Sequence, residues 1–79
     1  MKEFTLRLST IKDVQDFVRD LTLYGGDADL ESGRYVVDAK SIMGIFSLDL
    51  QSPIKLILRE DGATGEAELI SKIQHLLAE

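Results

Sequence analysis

Residues 40–49 read KSIMGIFSLD, a lysine and a serine followed by an apolar run that one glycine interrupts. Serine before a short apolar run is a helix N-cap signal, because its hydroxyl accepts a bond from an otherwise unpaired backbone N–H. The segment 41–48 has room for only two helical turns. Ile42, Met43, Ile45 and Phe46 crowd a helix too short to bury them all against one surface. Helical spacing puts Ile42, Phe46 and Asp49 on related faces and Ile45 and Leu48 on others. Exposed apolar clusters mark interaction sites, and methionine suits an adaptable one.

The flanking segments set this helix in a fold. EFTLRL (3–8) alternates Phe4, Leu6 and Leu8 with Thr5 and Arg7, the period of a strand with one wet face. From residue 11, Ile11, Val14, Phe17, Val18 and Leu21 recur at helical steps, leaving Asp13, Asp16, Arg19 and Asp20 for the other side. Ser9 or Thr10 caps this helix, and Thr10 with Asp13 fits a capping box. Gly25-Gly26 is expected to end it through a left-handed cap. DADLES (27–32) and RYVVDA (34–39) read as a hairpin turning at Ser32-Gly33. Ile54, Leu56 and Leu58 give a fourth strand. From Thr64 a last helix carries the stripe Leu69, Ile70, Ile73, Leu76 and Leu77, with Glu66 and Glu68 in its first turn. The order is β-α-β-β-α-β-α, an α+β pattern with helices packed on one face of a mostly antiparallel sheet.

Bulk properties narrow the function. Seventy-nine residues make one domain, 1–79. A domain of this size buries only about 60% of its unfolded surface, so modest stability is expected. The chain has no cysteine, which excludes disulfides, thiolate catalysis and Cys-ligated zinc. A net charge of −5 argues against general nucleic-acid binding. No apolar stretch reaches membrane-spanning length, and MKEFTLRLST is not a signal peptide, so a cytoplasmic location is expected.

Catalytic signals are lacking. The first-helix aspartates read as a solvated face, and no oxygen-rich loop resembles a calcium site. Gly62-Ala63-Thr64-Gly65 lacks the spacing and lysine of a phosphate loop. The single histidine, His75, lies in the last helix, remote from any serine–acid pair. The expectation is a non-enzyme without metal or cofactor.

The element order, with Lys40-Ser41-Ile42-Met43-Gly44 and Ser47-Leu48 in the second helix, resembles the HPr family, the small phosphocarriers of the bacterial sugar phosphotransferase system. The resemblance spans essentially the whole chain. It implies an open-faced sandwich with sheet order 1-4-2-3 and three helices on one face. It also implies two phosphorylation sites. The regulatory serine motif is matched by Ser41. The histidine motif, GIHARPA in form, is not matched. The region Ser9, Thr10, Ile11, Lys12 and Asp13 takes its place, with Thr10 about where the histidine would stand and Asp13 where the family has proline. Asp13 would put negative charge where a phosphohistidine needs free N–H groups. Such a chain is similar to the catabolite-repression HPr paralogues, which lack the histidine, keep the serine and act as regulatory partners.

The resemblance therefore implies a regulatory interaction protein. An HPr kinase-type enzyme would phosphorylate Ser41. By the same resemblance Ile42, Met43 and Phe46 match the family's exposed apolar patch and Ile45 and Leu48 face the core, and a transcriptional regulator or metabolic enzyme would bind Lys40, Ile42, Met43 and Phe46. From pattern alone Ser41 is a plain cap and Lys40 a solvated lysine. Two alternatives stay open: a phosphotransferase-system carrier using an unconventional site, and a structural domain that self-associates weakly through the apolar patch.

Overall fold

The computed structural model describes residues 1–78. Four strands, β1 (Lys2–Leu6), β2 (Ala28–Ser32), β3 (Tyr35–Asp38) and β4 (Ile54–Leu58), alternate with α1 (Ile11–Leu21), α2 (Ile42–Phe46) and α3 (Glu66–Lys72) in the expected order. A 3₁₀ turn, Gln74–Leu76, follows α3. Every strand pair is antiparallel and the sheet order is β1-β4-β2-β3.

Register explains the two faces. Phe4, Leu56, Leu30 and Val37 stand opposite one another across all four strands. With Leu6, Ile54, Leu58 and Ala28 they form the sheet's side of the core. Val14, Phe17 and Leu21 of α1, Ile45 and Leu48 around α2, and Leu69, Ile73 and Leu76 from the last segment close it. The other sheet face carries the rows Glu3–Ile57–Asp29–Asp38 and Thr5–Lys55–Glu31–Val36. Among the described residues seventeen buried apolar residues form this core, and at roughly 1.5–3 kcal/mol for each large side chain their burial is the main force holding the sheet to its helices.

Several local expectations are corrected. Ile11 is 66% exposed. It occupies the first position of α1, where the Cα–Cβ bond tilts toward the N-terminus and carries the side chain past the core. Asp20, expected outside, is buried, because it lies three residues after Phe17 on the flank of the stripe. α1 closes at Thr22, whose hydroxyl donates to the Arg19 carbonyl at 2.6 Å, and neither Gly25 nor Gly26 takes a positive φ. The hairpin loop is Gly33-Arg34, with Gly33 at φ +60°, the first-position glycine of a type II′ turn. β1 stops at Leu6, although Leu8 is buried.

The last helix starts later and ends earlier than its apolar stripe suggests. Gly65 is its N-cap at φ +77°, and a Cβ there would fall on the Leu23 carbonyl oxygen. The chain leaves the helix after Lys72 and pairs with β1. Arg7 N–H donates to Leu76 O and Ala78 N–H to Thr5 O, both at 2.8 Å, and Leu77 bridges Leu6. Leu77 thus serves an extended segment and not a helical face, and His75 sits exposed in the 3₁₀ turn.

Candidate functional site at the start of the second helix

Ser41 is the N-cap of α2, with φ −99° and ψ 104°. Its Oγ accepts the Gly44 N–H at 3.2 Å, and its carbonyl accepts the Ile45 N–H at 3.0 Å. The residue is exposed, so the hydroxyl combines a structural role with access from solvent. The preceding turn holds it there. Asp38 accepts the Lys40 N–H through Oδ1 at 2.9 Å and the Ser41 N–H through its carbonyl at 3.0 Å. Gly44 lets α2 approach β3, since a Cβ would stand 3.2 Å from Val37 Cβ and 3.3 Å from Ser41 Oγ.

The apolar run divides as expected. Ile45 and Leu48 are buried, Ile42 is half-buried and packed against the core, and Met43 and Phe46 are 79% and 44% exposed. Ser41, Met43 and Phe46 are therefore all accessible from solvent. Lys40 is exposed, and its ammonium is also tied to the protein. Its Nζ donates to the Tyr24 carbonyl at 2.8 Å and lies 6.0 Å from the centre of that ring. The Tyr24 hydroxyl in turn donates to Glu60 O at 2.6 Å and accepts Glu60 N–H at 2.9 Å. Nothing in the sequence signals this chain of contacts, because it joins residues 16 and 36 positions apart.

The start of α1 is closed by its own side chains. Thr10 Oγ1 accepts the Asp13 N–H at 3.0 Å, and Asp13 Oδ2 accepts the N–H groups of Ser9 and Thr10 at 3.0 and 3.2 Å. This is the reciprocal capping box that the sequence suggests. Lys12 turns along the helix to pair with Asp16 at 2.6 Å. That hydrogen bond, followed by the charges of Lys12, Arg19 and His75, holds the Asp16 carboxyl below its ordinary pKa despite some opposing desolvation. Thr10 is the residue at the cap, and the one histidine is in the 3₁₀ turn far along the chain. Among the described residues no group of three or more His, Cys, Asp or Glu side chains is placed to hold a metal ion. No helix among them is long and apolar enough to cross a membrane.

No family model matches the chain, and none of the curated proteins compared with it matches. Its fold is similar to the crystal structure of HPr-C-His from Thermoanaerobacter tengcongensis, with a TM-score of 0.74 and 28% identity over 92% of this chain and 86% of that one. Sheet order, helix placement and this similarity define an HPr-like fold.

Proposed function

We propose that this chain is a regulatory interaction protein related to the sugar phosphotransferase system, modified on Ser41 and without histidine phosphocarrier activity. One contrast carries the reading. Ser41 at the cap of α2 is exposed, while at the start of α1 the N–H groups of Ser9, Thr10 and Asp13 are already taken by Asp13 and Thr10 and a carboxylate stands beside them.

A phosphoryl group at the α1 end would face the Asp13 carboxylate, which already holds Ser9 and Thr10 N–H, as a like charge. Thr10 also offers no nitrogen nucleophile. At α2 the situation differs. The Ser41 hydroxyl can attack the γ-phosphorus of ATP within an HPr kinase-type enzyme, forming a phosphoserine as the bond to ADP breaks and ADP leaves, its proton passing to the enzyme's base. The added group brings about two negative charges and strong acceptor oxygens beside the first N–H groups of α2. Because α2 has only five residues, the change acts chiefly on surface charge beside Met43 and Phe46. Ile42, Met43 and Phe46 form the contact patch for a protein partner, either a transcriptional regulator or a metabolic enzyme. Lys40, moored on Tyr24, supplies positive charge at its rim. The chain acts as a partner, not as an enzyme, in the cytoplasm.

The test is intact mass after incubation with HPr kinase, ATP and magnesium. One phosphate on the wild type, none on Ser41→Ala, and slower transfer to Met43→Asp and Phe46→Asp are expected. Phosphate on Ser41→Ala would place the site elsewhere. Unimpeded transfer to both patch variants would remove the patch from kinase docking.

A further inference from the structure

The two edges of the sheet are treated differently. The outer edge of β1 is covered, since residues 76–78 return along it and exchange the hydrogen bonds described above. Among the described residues none pairs with the outer edge of β3. Open edges are ordinarily blunted by lysine, proline, a bulge or an overlying segment, because they template pairing with another chain. β3 reads Tyr35-Val36-Val37-Asp38, rich in the residue types that favour strands, and Tyr35 and Val36 are 72% and 54% exposed.

Register shows which groups point outward. In the two-residue hairpin, Ser32 and Tyr35 form the closing pair, so Tyr35 and Val37 direct their backbone groups toward β2. Ala39 continues the series with N–H to Ala28 O at 2.9 Å, whereas the Asp38 carbonyl faces away and takes Ser41 N–H. The N–H and C=O of Val36 and the N–H of Asp38 are therefore the edge's outward groups.

We propose that two copies of this chain associate by antiparallel pairing of their β3 edges, with Val36 opposite Val36 of the second copy. Antiparallel pairing sets outward residues opposite outward residues, and only this register uses Arg34, Val36 and Asp38 together. It also sets Arg34 opposite Asp38 of the second copy, twice in the symmetric pair, and Tyr35 opposite Val37. Unlike charges and aromatic–β-branched pairs are the favourable cross-strand combinations. The two four-stranded sheets then form one eight-stranded sheet with all helices on the same side. The proposal is independent of Ser41 modification.

Sedimentation equilibrium from micromolar to millimolar concentration tests it. A monomer–dimer equilibrium is expected. Val36→Pro removes an outward N–H without touching the β2–β3 ladder, and should abolish the dimer while keeping the native melt. Arg34→Asp, in an exposed turn, and Asp38→Arg each set like charges opposite one another, and each should weaken association about tenfold. The double variant restores unlike pairs and should return to within about threefold of the wild type. A monomer throughout the range would overturn the proposal. So would a dimer that survives Val36→Pro or is lost in Met43→Asp instead. A double variant as weak as the singles would refute the register.

Discussion

Thr10 and Asp13 bond each other reciprocally across the first turn of α1, hydroxyl to backbone N–H at 3.0 Å and backbone N–H to carboxylate at 3.2 Å. The Asp13 carboxylate also takes Ser9 N–H. Three donors of a helix end are thereby satisfied within the chain. The same arrangement caps α1 and sets a carboxylate beside its first turn.

A double-mutant cycle across this pair reads its strength. Thr10→Ala and Asp13→Ala should each cost about 1 kcal/mol of unfolding free energy, the usual value for an N-cap. The double variant should lose less than the sum, by about 0.5 kcal/mol or more, because each single change already breaks the shared box. Urea unfolding of the four proteins measures this, and strict additivity would mean that the two residues act separately.

Ser41 has a structural role of its own through Gly44 N–H. Ser41→Ala should therefore lower stability by roughly 1 kcal/mol, whereas Ser41→Asp keeps an acceptor at the cap and should remain close to the wild type. Thermal melts distinguish the two. Equal losses in both variants would show that the cap bond contributes nothing.

Two glycines with similar positive φ make opposite demands. Gly62, at φ +74°, has open space where a Cβ would stand, so Gly62→Ala should cost only the left-handed backbone strain, roughly 1–2 kcal/mol. Gly65, at φ +77°, would drive its Cβ into the Leu23 carbonyl. Gly65→Ala should cost roughly 3 kcal/mol or more, a large share of the stability of so small a domain. Comparable denaturation midpoints for the two would contradict the close approach of α3's start to the end of α1.

Acid should weaken the fold partly through Asp16 and Asp61. The Lys12 hydrogen bond lowers the first carboxyl's pKa, and the bond from the N-terminal ammonium lowers the second. In the unfolded chain both return toward about 3.9. A folded pKa below the unfolded one gives stability that is complete above the unfolded value and fades as pH falls through the folded value. Both pairs are exposed, so the effect is small and screened by salt. Asp16→Asn should be less stable than the wild type at neutral pH, with the difference shrinking in acid and at high salt. A difference constant with pH and salt would show that charge is not its cause.

Most of this architecture is legible in the sequence because strong periodic patterns agree with the tertiary packing. Leu6, Leu30, Leu56 and Leu58 alternate along strands, and Val14, Phe17 and Leu21 recur along α1, and all are buried. Thr10–Asp13 and Ser41 are legible as caps because the partners lie within three residues. What escapes sequence reasoning depends on distant contacts or on where an element stops. Ile11 belongs to the α1 stripe by spacing, yet it overhangs the core. Leu77 fits the α3 stripe, yet the pull of the open β1 edge draws the chain out of the helix before it. Lys40 looks untethered until Tyr24, held by Glu60, presents its carbonyl. At the site, exposure of Met43 and Phe46 follows from a helix too short to bury its whole apolar run.

The central claim is that Ser41 accepts phosphate and the start of α1 does not. Intact mass of two parallel samples tests it most directly, one with HPr kinase, ATP and magnesium, the other with phosphotransferase enzyme I and phosphoenolpyruvate. A histidine-bearing HPr serves as positive control in both. One phosphate in the first sample, absent in Ser41→Ala, and none in the second is the expected result. Phosphate in the second sample would contradict the claim and make this chain a carrier.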